Sequence, residues 1–253
     1  MKYLFEVCAN SVTSAVAAQQ GGAHRIELCE NLMQGGTTPS YGTILQTRKL
    51  LQIPIHVLIR PRTGDFLYSD AEFEVMKNDI LLCKDLKIDG IVSGVLNADG
   101  TIDKIRTKEL VEHSKPMTFT FHRAIDVSKN IFDALEDCIA IGCDRILTSG
   151  SENTAYDGRQ VIKKLVNQAN GKIIIMVGSG VNPKNIRQIA SETGATEFHS
   201  SAKRNVESKM IYRSAKVNMS AKPMDEFLNI ETDSEIVKEI LVELEKLCQS
   251  IKL

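Results

Sequence analysis

Strand-like and helix-like segments alternate along almost the whole chain, and this alternation limits the fold more than any other feature of the sequence. Short runs rich in β-branched or aromatic residues predict strands, and the segments between them have the apolar spacing of amphipathic helices. The predicted strands span residues 3–8, 25–29, 55–59, 90–93, 117–121, 145–148, 172–177 and 197–200. Eight βα units in 253 residues match a (β/α)8 TIM barrel in count and in length. A doubly wound open sheet is the structural alternative, but such a sheet normally needs only about five to seven strands.

Residues that typically begin and end helices support this alternation. Ser11 is a candidate N-cap, and Gly21-Gly22 would end the helix that follows it. Ser69 and Glu72 have the spacing of a capping box. Asn182-Pro183 predicts an N-cap followed by proline at the first helical position. The sequence therefore marks helix boundaries at the places where the strand pattern requires them.

The stretch 203–232 fits the alternation poorly, because it has little periodicity and separates the eighth strand from a last helix predicted over 235–250. A loop of this length usually has a function. We expect it to act as a lid or as a contact between subunits. No other break divides the chain, so we predict a single TIM-barrel domain over residues 1–253 that forms a homo-oligomer, most simply a dimer.

An acid and a thiol recur together at the ends of the first two strands, as Glu6-Val7-Cys8 and, 21 residues later, Glu27-Leu28-Cys29. Residues two apart in a strand share a face. The two acids and the two thiols should therefore point into the barrel, while the apolar residues between them pack against helices. Ionisable groups in an interior that is normally apolar are hard to explain as packing. We interpret the two segments as one wall of a functional site.

Composition excludes several classes of protein. A net charge of −1 with dispersed lysines and arginines gives no indication of nucleic-acid binding. No apolar run reaches 18 residues, and the first residues enter a strand directly, so we expect neither a membrane span nor a signal peptide. The six cysteines lack metal-finger spacing, and a cytoplasmic chain keeps its thiols reduced. We predict a cytoplasmic protein without disulfides.

Polar side chains collect at the carboxyl ends of the predicted strands, where TIM barrels build their active sites. A strand-end glutamate or a buried histidine taken alone is more often structural, but seven of the eight strands end this way. The candidate acid–base residues are Glu6, Glu27, Arg60, His122 and Asp126, and the candidate anion-binding residues are Arg60, Arg62, Arg123, Gly178, Ser179, Gly180, Ser200 and Ser201.

Five segments, taken in order, resemble the CutC family, which is named for copper homeostasis. They are EVCANSVTSAVAAQQGGAHRIELCENLMQGGTTPSYG, IRPRTGDFLYSDAE, TFHRAID, RILTSG and GATEFHSSA, and together they extend over most of the chain. The resemblance implies a TIM barrel, a cytosolic role in copper handling, and metal ligation by Cys8 and Cys29. The sequence departs from the family pattern at Thr63, Ile125 and Ser179, which bears on the shape of an anion pocket.

Two functions follow from these observations, and the sequence leaves both open. The first is a copper homeostasis protein that binds Cu(I) through Cys8 and Cys29, since thiolate is the soft ligand that Cu(I) prefers. The glutamate beside each thiol would oppose thiolate formation unless Arg60 or the metal compensates. The second is an enzyme that applies acid–base chemistry to a small anionic or phosphorylated substrate. The arginines and histidines at the strand ends favour the enzyme, and the paired thiols favour copper.

Overall fold

A computed structural model of the protein describes residues 3–214, 217 and 225–250. Eight parallel strands form a closed barrel in which neighbours in sequence are neighbours in space, and β8 pairs with β1. The strands are β1 (Leu4–Ala9), β2 (Arg25–Leu28), β3 (Ile55–Leu58), β4 (Gly90–Ser93), β5 (Thr118–Phe121), β6 (Arg145–Thr148), β7 (Ile174–Val177) and β8 (Glu197–Ser200). All eight predicted strands and the TIM-barrel fold are confirmed, with strand ends shifted by at most about two residues, a normal scatter in boundary assignment.

In the described part of the chain, eight α-helices follow the strands and surround the barrel. They are α1 (Val12–Gln20), α2 (Tyr41–Leu50), α3 (Asp70–Asp85), α4 (Lys104–Ser114), α5 (Ile131–Ile141), α6 (Arg159–Ala169), α7 (Ile186–Thr193) and α8 (Ser234–Ser250). Two short 3-10 helices, Leu32–Gln34 and Arg123–Val127, follow β2 and β5. Among the residues described here, no helix has both the length and the apolar character needed to cross a membrane.

Alternate residues of each strand face the helices and the barrel interior. Phe5, Val7, Ile26 and Leu28 are fully buried in the layer between barrel and helices, as the two Glu-x-Cys segments predict. Cys8 and Cys29 belong instead to a separate small apolar cluster inside the barrel. The period of two in these strands therefore sets which side chains reach the interior.

Local hydrogen bonds confirm two of the predicted helix starts and correct the third. The side chain of Ser11 accepts the Ser14 N–H, and Ser69 with Glu72 makes a complete capping box. The helix predicted to begin at Asn182-Pro183 begins at Ile186 instead. Residues 183–185 form a turn, closed by hydrogen bonds from the N–H groups of residues 185 and 186 to the Asn182 carbonyl oxygen.

The stretch predicted as one long loop contains two strands, so that prediction was wrong in part. β9 (Lys203–Glu207) and β10 (Leu228–Thr232) pair as an antiparallel two-stranded sheet. Four of the five side chains of β9 are exposed, and its sequence lacks the alternation of apolar and polar residues that marks a half-buried strand. β10 begins with that alternation, and its residues become more buried towards Thr232. Much of the stretch between the two strands lies outside the described residues.

The barrel interior requires glycine at position 90. A Cβ atom on Gly90 would lie 2.4 Å from Cδ2 of His56, its partner on β3. We expect Gly90→Ala to lower the free energy of unfolding by about 1–3 kcal/mol, the usual cost of overpacking a core. Urea denaturation measures this change, and a Gly90→Ala protein as stable as wild type would contradict the packing.

Gly42→Ala is the matched control for this substitution. Gly42 lies on α2, and a Cβ atom there would meet no other part of the protein within 4 Å. Alanine at position 42 should therefore stabilise the protein by about 0.5–1 kcal/mol, because it restricts the unfolded chain more than glycine does.

Candidate functional site

A buried network of ion pairs lies across the barrel interior. Arg25 donates through Nε to Glu6 and through Nη2 to Glu197 Oε2 at 2.9 Å. Arg145 donates to the same Glu197 oxygen at 2.6 Å. All four side chains are at most about one-tenth exposed. Two guanidinium groups and two carboxylates balance in charge, as a buried ionic cluster requires.

Two histidines flank the carboxylate of Glu6. His199 Nδ1 lies 2.8 Å from Glu6 Oε1, and His56 Nδ1 lies 3.6 Å from Oε2. Burial alone would raise the pKa of Glu6, but the charge of Arg25 and the hydrogen bond from His199 outweigh it and hold that pKa well below its ordinary range. Burial lowers the pKa of His56 to about 3, so this ring is neutral. Arg25, and not Arg60, therefore neutralises Glu6, which corrects the expectation from the sequence.

Glu27 differs from Glu6 in having no arginine of the described chain within ion-pair distance. Burial is the main reason that its pKa rises to about 8, which leaves the carboxyl group protonated at neutral pH. Its Oε2 atom is buried, has no hydrogen-bond partner among the described residues, and lies 3.7 Å from His199 Nδ1. One side-chain atom each from Glu6, Glu27 and His199 lies within 4.8 Å of the other two, which is close enough for the three to hold a metal ion. The carboxylate of Glu6, however, is already bound by Arg25.

The two thiols of the Glu-x-Cys segments meet at the carboxyl end of the barrel. The Sγ atoms of Cys8 and Cys29 are 3.5 Å apart, well within the distance that one ion can bridge. Their apolar neighbours inside the barrel are Leu32, Leu58 and Val92. The hydrogen bond with Cys29, burial, and the nearby acids raise the pKa of the Cys8 thiol well above its ordinary value. Cys8 is therefore a protonated thiol in the metal-free protein at neutral pH.

A cavity of about 950 Å³ opens above these groups at the carboxyl ends of the strands. Cys8, Glu27 and His199 line it from β1, β2 and β8. Arg60 and His122 line it from the ends of β3 and β5. The chain thus brings an acid, a thiol, an arginine and two histidines to one opening, although they come from five different strands.

Arg60 is fixed in this cavity by backbone carbonyls. Its Nη1 donates to Gln34 and Gly36, and its Nη2 donates to Gly64. Gly36 has a φ of 86°, and a Cβ there would lie 2.6 Å from a methyl carbon of Leu58, so this close turn requires glycine. The guanidinium also packs over the Phe66 ring, with Cζ 5.0 Å from the ring centroid.

His122 packs against the same phenyl ring. Its ring centroid is 4.8 Å from that of Phe66, and its Nδ1 accepts the Ala124 N–H at 3.3 Å. Because Nδ1 is an acceptor, the neutral ring carries its hydrogen on Nε2. Burial is the main cause that lowers the pKa of His122 to about 3, and the charge of Arg60 acts in the same direction.

Asp126 has a structural role in the turn that follows β6. Its two oxygens accept from Arg123, from the hydroxyl groups of Thr148 and Ser149, and from the N–H groups of Ser149 and Ser151. A carboxylate with this many donors has little capacity left to accept a proton from a substrate. Asp126 lines the cavity, but its contacts do not favour the acid–base role that we predicted for it.

The remaining predicted residues divide between the cavity and its surroundings. Arg62 does not line the cavity, because its guanidinium is bound by Glu72 and Asp65. Gly178 packs against Leu147 and His199 below the opening. The residues of the predicted anion-binding set that do line the cavity are Arg60, Arg123, Ser179, Gly180, Ser200 and Ser201.

Sequence reasoning missed the charged interior below the thiols. Arg25, Arg145 and Glu197 are each the first residue of a correctly predicted strand, and His56 is the second residue of β3. Each of the four is an even number of residues before an inward-facing position on the same strand, so it faces the barrel interior as well. Continuing the period of two backwards from Glu27 or His199 would have revealed Arg25 and Glu197.

The protein is a TIM-barrel protein with an ionic interior, a buried pair of thiols, and a cavity at the carboxyl face that polar and apolar groups line together. The CutC family model matches residues 3–204. A protein from Homo sapiens named copper homeostasis protein cutC homolog is 45% identical over 248 residues, which cover 95% of this chain and 91% of the relative. A Chromobacterium violaceum protein named family protein CutC is 46% identical over 246 residues, 97% of this chain and 100% of the relative.

A solved structure agrees with these relatives. The crystal structure of a protein described as the putative copper homeostasis protein CutC from Streptococcus agalactiae is 37% identical to this chain, with a TM-score of 0.75 over 79% of this chain and 98% of that one. The chain belongs to the CutC family.

The neutral histidines predict a loss of stability in acid. The pKa of His122 is about 3 when folded against an ordinary 6.5, so the unfolded chain binds more protons between these values. The free energy of unfolding should therefore fall as the pH drops from about 6.5 towards 3, by up to about 1.4 kcal/mol per pH unit for each such histidine. His122→Asn should reduce this slope while keeping a side chain that can accept the Ala124 N–H.

Urea denaturation at pH 6, 5 and 4 measures this slope. His113→Asn is the control, because His113 lies on α4 and hydrogen-bonds to the Glu109 carbonyl within its own helix. Equal slopes for wild type and His122→Asn would show that His122 is protonated in the folded protein.

Proposed function

We propose that this protein takes part in copper homeostasis by binding Cu(I) between Cys8 and Cys29. The observation that carries the proposal is the 3.5 Å separation of the two sulfurs, on inward positions of adjacent strands. Thiolate sulfur is the soft donor that selects Cu(I) over harder ions. Relatives from Mus musculus and Homo sapiens, each 45% identical, are named for copper homeostasis, which supports the same cargo here.

The sulfur separation restricts the coordination that is possible. Two metal–sulfur bonds of about 2.3 Å span about 4.6 Å when they are collinear, and enclose roughly 100° when the sulfurs stay at their present distance. Linear coordination therefore requires the sulfurs to move apart by about 1 Å. A bent arrangement leaves room for a third ligand, which the cavity beside Cys8 can admit.

The surroundings of the thiols suit a monovalent soft ion. Leu32, Leu58 and Val92 provide an apolar environment on one side of the sulfurs. The Cys8 thiol is protonated without metal, so Cu(I) must displace a proton, and the apparent affinity should rise with pH. Because free thiols stay reduced in the cytoplasm, we propose that the protein binds Cu(I) there. The dimer expected from the sequence remains part of the same proposal.

The alternative function, an enzyme that uses acid–base chemistry, would use the same cavity. Fewer of the predicted acid–base residues are available for it than the sequence suggested. Glu6 is held by Arg25, and the oxygens of Asp126 are occupied by a turn. Glu27, Arg60 and His122 are the predicted acid–base residues that still present an unpartnered polar atom among the described residues, and a guanidinium is a poor proton donor or acceptor. We therefore place copper binding first.

Replacing Cys29 by serine tests the copper site. The change keeps the size of the side chain and removes a soft ligand, so Cu(I) affinity should fall by at least about tenfold, or about 1.4 kcal/mol. Anaerobic competition against a chromophoric Cu(I) chelator measures the affinity. Cys8→Ser should behave in the same way.

Cys138→Ser is the matched control. Cys138 is a fully buried cysteine on α5 whose sulfur also contacts a second thiol, Cys143, but it does not line the cavity. Its replacement should leave Cu(I) affinity unchanged. Unchanged affinity in a folded Cys29→Ser protein would refute the two-thiol site.

A further inference from the structure

We propose that Arg60 and His122 form a binding site for the oxyanion group, carboxylate or phosphate ester, of a small organic molecule. The site lies at the ends of β3 and β5, in the same cavity as Cys8 but with separate ligand groups. It is a function in addition to copper binding and does not depend on it.

Arg60 is a buried cation without a counter-ion among the described residues. It is only 4% exposed, and its two Nη atoms donate to three uncharged carbonyl oxygens. Every other arginine in the described part of the chain has a carboxylate within ion-pair distance. Buried charges are normally paired, because an isolated charge away from water is costly. An anion in the cavity would supply the missing charge.

Two hydrogen-bond donors remain unused beside this cavity. Arg60 Nε and His122 Nε2 are buried, and within the described residues neither has a hydrogen-bond partner of normal geometry, nor has the buried Tyr68 hydroxyl beside Arg60. Both are donors, since a guanidinium only donates and the Ala124 N–H already occupies His122 Nδ1. Both side chains pack on Phe66, at 5.0 and 4.8 Å from its ring centroid. A carboxylate or phosphate has the two acceptor oxygens that would be needed to bind both donors.

The cavity is much larger than a copper ion requires. Its volume of about 950 Å³ falls in the range of sites for small organic ligands. Phe66, Leu32 and Leu147 give it apolar walls, and the exposed Lys184, Lys203 and Glu239 at its rim leave one net positive charge there. The charge of Asp126 is taken up by Arg123, so it does not cancel that of Arg60. These features favour a ligand with a carbon skeleton and a negative end.

Calorimetric titration of the metal-free protein at pH 7 and constant ionic strength tests the site. The probes are inorganic phosphate, ribose 5-phosphate and succinate, so that the phosphate and carboxylate arms are separated. At least one probe should bind the wild-type protein with a dissociation constant below about 1 mM, which corresponds to a binding free energy of about −4.1 kcal/mol. His122→Asn should weaken that probe about tenfold, since a hydrogen bond to a charged group contributes measurably to affinity.

Arg60→Lys and Arg62→Lys form a matched pair of variants. Arg60→Lys should weaken the probe about tenfold or more, because a lysine offers no guanidinium fork. Arg62→Lys should bind like wild type, since Arg62 lies in the same loop but outside the cavity. If Arg60→Lys fails to fold, His122→Asn alone decides the result.

A side-chain resonance distinguishes direct contact from a structural effect. The chain has five histidines, so the ring N–H signal of His122 can be assigned by its loss in His122→Asn. It should shift when the binding probe is added. Failure of all three probes to bind, equal affinities for the two lysine variants, or an unmoved His122 signal would each overturn the site.

Discussion

The ion network of Arg25, Glu6, Glu197 and Arg145 is the constraint on which the arrangement of this barrel depends. TIM barrels usually fill the interior with branched apolar side chains, whereas here four charged side chains cross it. Removing one member of such a network leaves an uncompensated buried charge, at a cost of about 3–5 kcal/mol. The shared Arg25 and Glu197 join strands β1, β2, β6 and β8, so the network also fixes how the barrel closes.

Because the network balances its own charge, the groups above it do not have to serve as counter-ions. Glu27 carries its proton, Arg60 keeps a charge unpaired by any described carboxylate, and the thiols of Cys8 and Cys29 stay together in apolar surroundings. The thiols stand on the β1–β2 side of the opening, and Arg60 with His122 stands on the β3–β5 side. The soft metal site and the oxyanion site that we propose therefore use different side chains.

Much of this arrangement could be predicted from the sequence, because strand period and helix caps are local signals. They predicted all eight barrel strands, and the Glu-x-Cys repeat correctly placed Cys8 and Cys29 together inside the barrel. The partners of the charged residues could not be predicted, since they depend on barrel register: Glu6 is neutralised by Arg25 and not by Arg60. β9 was missed because four of its five side chains are exposed and show no apolar period, and β10 was missed because its alternation covers only five residues.

The most direct test of the central claim is X-ray absorption at the copper K edge on the Cu(I)-loaded protein. The two-thiol site predicts a first shell with two sulfur atoms at about 2.3 Å from copper. The spectrum should also show the low coordination number that Cu(I) tolerates. A shell made of nitrogen and oxygen atoms at about 2.0 Å, with no sulfur, would place copper on histidines or carboxylates and contradict the account.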